Sequence, residues 1–224
     1  MFYDYSYFIF FAPAFILAIV AQIWISASYA KNSKIVPNNR ITGEEAGRKI
    51  MEGEGYPVDI NIQGQSLSDH FDPRSDTVNL STSSKNSSVA DIAVTAHEFG
   101  HVDQKFSNSI LFNIRNGLVP VVNIGSRIGY ILMILGLMLN FLQLAEIGLI
   151  LFSGITLFAL LTVPIEIDAT KRGLSFIKKY DLIEEDKMSN AKSVLNAAAM
   201  TYVASLLTSL LNLLYFASRI KRRG

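Results

Sequence analysis

The chain has 224 residues, half of them hydrophobic, and a formal net charge of +1 at neutral pH. This near-neutral balance gives no indication of a nucleic-acid partner, because nucleic-acid-binding domains usually carry an excess of basic charge. The sequence contains no cysteine, which excludes a disulfide framework and a thiolate metal site. Any zinc site would therefore use nitrogen and oxygen ligands.

The first long apolar segment, residues 7–29, is predicted to be an uncleaved membrane anchor. A bilayer span takes about 20 residues. The segment's N-terminal flank carries Asp4 and no lysine or arginine, whereas a signal peptide begins with a basic region. Basic residues follow the segment, so the positive-inside rule places the N-terminus outside and residues 30–117 in the cytoplasm. These basic residues are Lys31, Lys34, Arg40, Arg48 and Lys49.

The polar segment 30–117 is predicted to form a compact catalytic subdomain. Thr42 and Glu45 have the spacing of a capping box, which predicts the start of a short helix. Apolar residues alternate with polar ones at 58–62 and again at 78–80, which predicts two strands. We therefore expect a small sheet of two or three strands beside the next helix.

That next helix carries the pattern H-E-x-x-H from His97 to His101. Residues i and i+4 of a helix lie on one face, so the two imidazoles could share one Zn²⁺. Glu98, beside the first histidine, could take a proton from the water that the metal holds. Either Ser87 or Ser88 could cap the N-terminus of this helix.

A third metal ligand has to come from another part of the chain, because no third histidine follows His101 closely. Catalytic zinc typically has three protein ligands and an open position for water. Glu166 opens a polar segment after the second apolar region and is the predicted ligand. Asp168 is its competitor, and could instead accept a hydrogen bond from a ligand histidine. His70 is either a substrate contact or a turn residue bonded to its own neighbours.

Further along the motif helix, Asp103 or Gln104 could also bond a ligand imidazole, although ordinary solvation fits both residues equally well. Pro164 suits a helix start or a kink just before the polar segment that contains Glu166.

Residues 118–164 are predicted to form a hairpin of two transmembrane helices that returns to the cytoplasmic side. The basic residues of 165–190 agree with that side. Residues 191–216 are a fourth candidate span, but the basic residues that follow it would then lie outside. Either the positive-inside rule fails there, or the segment packs against protein or lies at the membrane surface.

Several segments resemble the bacterial neutral zinc metallopeptidases of the membrane, the YugP-type proteins. The resemblance runs from end to end and implies zinc at His97 and His101, a catalytic Glu98 and membrane embedding. It implies no particular substrate. Besides the N-terminal span, it is carried by Arg40–Gly43, Leu67–Pro73, Val78–Ser81, Ala96–His101, Val119–Asn123, Leu161–Ala169 and Val194–Ala204.

The organisation is also similar to the membrane gluzincins of the heat-shock and CAAX-protease type. In those proteins an apolar hairpin separates H-E-x-x-H from a glutamate ligand, which matches Glu166 here. They usually carry Ala-Asp three and four residues after the glutamate, where this chain has Ala169 and Thr170. The resemblance therefore implies that a carboxylate orienting a histidine comes from Asp168 or elsewhere.

The predicted fold is a mainly α-helical integral membrane protein with a small α+β zincin-like catalytic subdomain, in which the H-E-x-x-H helix packs beside a short sheet. We expect a multi-pass protein of the bacterial plasma membrane with a cytoplasmic active site. The predicted segments are an anchor (1–29), the catalytic subdomain (30–117), the hairpin (118–164), a cytoplasmic helix with the third ligand (165–190), and a C-terminal apolar helix with a basic tail (191–224).

The predicted function is that of a membrane-embedded zinc metalloendopeptidase with one Zn²⁺ per chain, in which Glu98 activates the water. Its expected partners are the lipid bilayer and a peptide or membrane-protein substrate. The alternative is a non-enzymatic membrane scaffold or sensor, whose structural zinc would take a fourth protein ligand from Asp168 or His70. A small transporter is a weaker alternative, because the spans carry little charge beyond Arg127 and Glu146.

Overall fold

The computed structural model describes residues 5–223, and Asp4, which enters the argument for an uncleaved anchor, lies outside them. The described range contains seven α-helices, three short strands and two single turns of 3₁₀-helix. The elements are α1 (Tyr5–Asn32), α2 (Gly43–Glu54), β1 (Asp59–Ile62), β2 (His70–Asp72), β3 (Thr77–Leu80), α3 (Val89–Phe106), α4 (Ile110–Met138), α5 (Leu142–Phe152), α6 (Gly154–Lys179) and α7 (Met188–Lys221).

Four stretches of helix in the described residues are long and apolar enough to cross a bilayer. They coincide with the four apolar segments that the sequence predicts. Of the two roles that the sequence suggests for Pro164, the helix start is wrong, because α6 begins at Gly154 and contains Pro164 in its interior. Long apolar helices tolerate proline because neighbouring groups can satisfy the freed backbone carbonyl. The four stretches are Phe8–Asn32, Ile110–Met138, Leu142–Lys179 and Glu185–Lys221.

The chain forms two compact units, and the boundaries between them cut through α1, α4, α6 and α7. We call the first the apolar unit; its described residues are 5–22, 113–164 and 201–223. The second, the site unit, comprises residues 23–112 and 165–200. The site unit therefore takes part of each long helix in addition to α2, α3 and the strands.

The sheet of the site unit has three strands in the order β1-β3-β2. β3 is parallel to β1 and antiparallel to β2. Val78 in the central strand pairs with Ile60 on one side and Phe71 on the other. Val78 and Leu80 are fully buried, as the alternating pattern of the sequence predicts for one face of a sheet.

The core of the site unit surrounds α3, which is buried along most of its length. Phe99, Ile92 and Val102 of this helix have no exposed surface and pack in one cluster with residues of α2, β3, α6 and α7. Full burial of one large apolar side chain contributes about 1.5–3 kcal/mol to stability. The motif helix is thus held rigidly by its surroundings.

Two N-terminal caps that the sequence predicts are confirmed. Thr42 and Glu45 form the complete capping box of α2. Ser88, rather than Ser87, caps α3, because its hydroxyl accepts a hydrogen bond from the backbone N–H of Asp91.

The apolar unit is packed differently. α4 and α5 approach so closely at Gly148 that a Cβ there would overlap the backbone nitrogen of Met133. Many large apolar side chains of this unit are exposed, Ile150 by 70% and Val121 by 65%. Exposed apolar side chains in such number are typical of an interaction with lipid or with another protein.

Candidate metal centre

Two glycines let the backbones of α3 and α6 come very close in the site unit. A Cβ at Gly100 would overlap the carbonyl oxygen of Ala169, and a Cβ at Gly173 would lie 2.8 Å from the carbonyl oxygen of Ala96. Only glycine fits such an approach, because every other residue carries a Cβ. The close crossing brings side chains of both helices to one point.

His97, His101 and Glu166 meet at that point, with one ligand atom from each lying within 4.8 Å of the others. Oε2 of Glu166 is 3.2 Å from Nε2 of His97 and 3.5 Å from Nε2 of His101. The Glu166 side chain is 5% exposed, and the imidazoles are 12% and 13% exposed. The structure therefore brings together the three residues that the sequence predicts as ligands.

This cluster fits Zn²⁺ in its donor atoms and in its size. Two imidazole nitrogens and one carboxylate oxygen are a usual ligand set of catalytic zinc, with the fourth position left open. Ligand atoms about 2.1 Å from a tetrahedral zinc lie about 3.4 Å from one another. The distances of 3.2 and 3.5 Å between Glu166 and the two imidazoles agree with that separation.

Glu98 is buried beside the cluster, with 7% of its surface exposed. Its Oε2 accepts a hydrogen bond of 2.9 Å from the backbone N–H of Phe71 in β2. Burial raises the pKa of Glu98, because desolvation disfavours the charged carboxylate; the nearby His97 and His101 oppose this shift. A carboxylate with a raised pKa is well suited to accept a proton.

The two histidines have neutral partners at their other ring nitrogens. Nδ1 of His97 lies 3.3 Å from the hydroxyl of Thr170, and Nδ1 of His101 lies 2.9 Å from Oε1 of Gln104. Burial lowers the pKa of His101, but the neighbouring carboxylates of Glu166 and Glu98 outweigh that effect, so the net pKa is raised.

Asp168 does not take the place that the resemblance implies for an orienting carboxylate. It accepts hydrogen bonds from Nε2 of Gln104 at 2.9 Å and from Nε of Arg172 at 2.8 Å. Gln104 therefore stands between Asp168 and the histidine. The sequence analysis did not predict a role for Thr170. Thr170 lies four residues after Glu166, so both are on one face of α6, and this spacing could have identified Thr170.

His70 and Asp103 are held by other contacts. Nδ1 of the exposed His70 lies 2.9 Å from the carbonyl oxygen of Ser68, which matches the predicted bonding to neighbouring backbone, although His70 begins strand β2 rather than lying in a turn. Asp103 accepts hydrogen bonds from the hydroxyl of Tyr56 at 2.7 Å and from Arg172 at 2.5 Å. A substrate contact of His70 stays a prediction.

A buried cluster of two histidines and a glutamate, carried by an H-E-x-x-H helix and its neighbour, is typical of zinc metallopeptidases. Comparison with known proteins agrees: the chain belongs to the family described as "Putative neutral zinc metallopeptidase", whose profile matches residues 7–221. The family resemblance seen in the sequence is thereby confirmed.

One relative is the "Putative membrane protease YugP" of Bacillus subtilis (strain 168). It is 35% identical to this chain over 202 residues, which cover 89% of this chain and 90% of the relative. No solved structure matches the chain.

Proposed function

We propose that this protein is an integral membrane zinc metalloendopeptidase of the bacterial plasma membrane. The observation that carries the proposal is the buried cluster of His97, His101 and Glu166 with Glu98 beside it. Membership of a zinc metallopeptidase family and similarity to a membrane protease support it.

The residues of the cluster divide the chemistry between them. His97, His101 and Glu166 would hold one Zn²⁺, which when bound would polarise the peptide carbonyl and make water more acidic. Glu98 would accept a proton from the attacking water and later donate it to the leaving amine. The N–H of Phe71 holds the Glu98 carboxylate in place for both transfers.

The edge of the sheet is the proposed docking place for an extended peptide. β2 is an outer strand, and its Phe71 N–H donates to Glu98 rather than to β3. A peptide that runs along this edge would pass directly beside Glu98. Peptides and membrane proteins that can present an extended segment are therefore the proposed substrates.

The contacts of the candidate fourth ligands favour an enzyme over a structural zinc site. A structural site is closed by four protein ligands. Asp168 is engaged by Gln104 and Arg172, and His70 by the backbone carbonyl of Ser68. A cluster of three ligands leaves a position for water and substrate.

Replacement of Glu98 by glutamine tests the mechanism. Glu98→Gln keeps the size of the side chain but removes its basicity, so zinc content should be unchanged while peptide cleavage falls by about 10²–10⁴-fold. Zinc is measured on the purified protein, and cleavage on an unfolded protein substrate. Full cleavage by the variant would contradict a proton-transfer role for Glu98.

We further propose that all four apolar helices cross the membrane. In the apolar unit, Arg223 donates hydrogen bonds to the carbonyl oxygen of Leu137 and to Asn140, so the basic tail lies at the same end as the turn between α4 and α5. With residues 30–117 in the cytoplasm, four crossings along the chain put the tail outside, and the positive-inside rule fails only at the tail.

Single cysteines can test this topology, because the chain has none of its own. Three exposed residues are replaced: Lys85→Cys in the site unit, Leu139→Cys in the turn between α4 and α5, and Arg222→Cys in the basic tail. On whole cells, an impermeant maleimide should label the latter two and should label Lys85→Cys only after permeabilisation. The reverse pattern would place the active site outside.

A further inference from the structure

Gln104 is a fully buried polar side chain whose amide is completely used in the site unit. Its Nε2 donates to the carbonyl oxygen of Ile165 at 2.8 Å and to Oδ2 of Asp168 at 2.9 Å. Its Oε1 lies 2.9 Å from Nδ1 of His101. A buried glutamine without these partners would be costly, so the arrangement is well determined.

These contacts fix which ring nitrogen of His101 carries a proton. Both N–H groups of the Gln104 amide point at oxygen acceptors of α6, so the atom that faces His101 must be the amide oxygen. An amide oxygen only accepts hydrogen bonds, so Nδ1 of His101 must be the donor. Nε2 of the neutral ring is then left with its lone pair, and it faces Glu166 at 3.5 Å.

We propose that Gln104 is a positioning residue that holds His101 in the Nδ1–H tautomer and thereby directs its Nε2 at the metal. This inference rests on the proposed function. It assigns the orienting role to a neutral amide of the motif helix itself, three residues after the histidine, rather than to a carboxylate of α6.

Gln104 also ties α3 to α6, and the two roles have to be separated. The tie continues through Asp168 to Arg172, which in turn donates to Asp103 and to Ser107 of the motif-helix end. A purely structural Gln104 would affect metal binding only through the stability of this helix pair. A positioning Gln104 would affect metal binding through the acceptor at His101.

Three variants separate the two roles. Gln104→Leu removes both the acceptor and the tie. Gln104→Glu keeps an oxygen acceptor for His101 but loses the donors to Ile165 and places a carboxylate against Asp168, so it weakens the tie. Asp168→Ala weakens the tie while the amide oxygen still faces His101.

The measurement is the apparent zinc affinity of each purified protein in detergent, by competition with a chelator at one pH, beside thermal unfolding of the metal-free protein. Gln104→Leu should bind zinc about 10–100-fold more weakly than wild type. Gln104→Glu and Asp168→Ala should stay within a few-fold of wild type although both unfold at lower temperature. Unchanged affinity in Gln104→Leu, or equal losses in Gln104→Leu and Gln104→Glu, would overturn the inference.

A measurement on the wild type covers the case in which Gln104→Leu does not fold. The chain has only three histidines, so ¹⁵N-histidine labelling gives a simple spectrum. In the zinc-loaded protein, His101 should show a protonated Nδ1, and a proton on Nε2 would overturn the inference. A wild type that binds no zinc would instead overturn the proposed function, and this inference with it.

Discussion

The site unit and the apolar unit both contain a close contact between two helices at a glycine, but the contact has a different consequence in each unit. In both, a glycine lets two helix backbones touch: Gly100 against Ala169 in the site unit, and Gly148 against Met133 in the apolar unit. In the site unit the close approach lets Glu166 reach the two histidines. In the apolar unit it joins two helices whose outer faces are apolar, as is usual for helices packed in lipid.

The polar contacts of the two units differ as well. Around the cluster, a chain of hydrogen bonds runs from His101 through Gln104, Asp168 and Arg172 to Asp103. The apolar unit instead buries Met133 and Ala145 and exposes large side chains such as Ile150. A close contact between two helices thus forms a candidate site in the unit where the facing side chains are polar and hydrogen-bonded, and only a packed interface in the unit where they are apolar.

Among changes at these helix contacts, the largest effect on zinc affinity and stability is expected from Gly100→Ala. A Cβ at this position would overlap a backbone carbonyl, so α3 and α6 must separate and Glu166 must withdraw from the histidines. We expect a clear loss of zinc affinity and a destabilisation of about 1–3 kcal/mol, typical of an overpacked core. Zinc titration and thermal unfolding check this. Wild-type zinc affinity would show that the close crossing is not needed.

A smaller effect, confined to the apolar unit, is expected from Gly148→Ala. It should destabilise the protein by about 1–3 kcal/mol, because a backbone nitrogen blocks the new methyl group. The zinc affinity of the folded protein should not change. Gly125→Ala is the matched control: no described heavy atom lies within 4 Å of its Cβ position, and alanine favours helix by about 1 kcal/mol. A loss of zinc in Gly148→Ala would mean that the units are coupled.

The smallest effect is expected from Ser88→Ala, which removes the cap of the motif helix. The hydroxyl accepts a bond of 3.1 Å from Asp91 N–H, and its loss should cost about 1 kcal/mol of stability without altering zinc binding. Ser87→Ala is the control, because the buried Ser87 hydroxyl has no hydrogen-bond partner among the described residues. Equal destabilisation by both changes would contradict the assigned cap.

The sequence predicted those features that depend on neighbours along the chain. The capping box of Thr42, the cap at Ser88 and the alternation of residues 58–62 are local interactions, and the structure confirms each one. The strand order β1-β3-β2 could not be read in this way, because it depends on contacts between distant segments. The start of α6 at Gly154 could not be read from the sequence, because a proline is compatible with either a helix start or a kink.

The candidate site shows the same difference between features that depend on residues nearby in the sequence and features that depend on distant ones. The pairing of His97 with His101 follows from helix geometry. Glu166 was predicted as the third ligand because it opens the polar segment that follows the apolar hairpin. The hydroxyl of Thr170 at His97 was missed because a neutral group leaves no charge pattern to read. The close contact at Gly100 was missed because its cause, the carbonyl of Ala169, lies on another helix.

Zinc content per chain, in wild type beside Glu166→Ala and Asp168→Ala, tests the central claim most directly. Each protein is purified in detergent, reconstituted with zinc, freed of excess metal and analysed for bound metal. The His97–His101–Glu166 cluster predicts about one zinc per chain in wild type and in Asp168→Ala, and a clear loss in Glu166→Ala. Equal zinc in wild type and Glu166→Ala, or no zinc in wild type, would contradict the proposed metal centre.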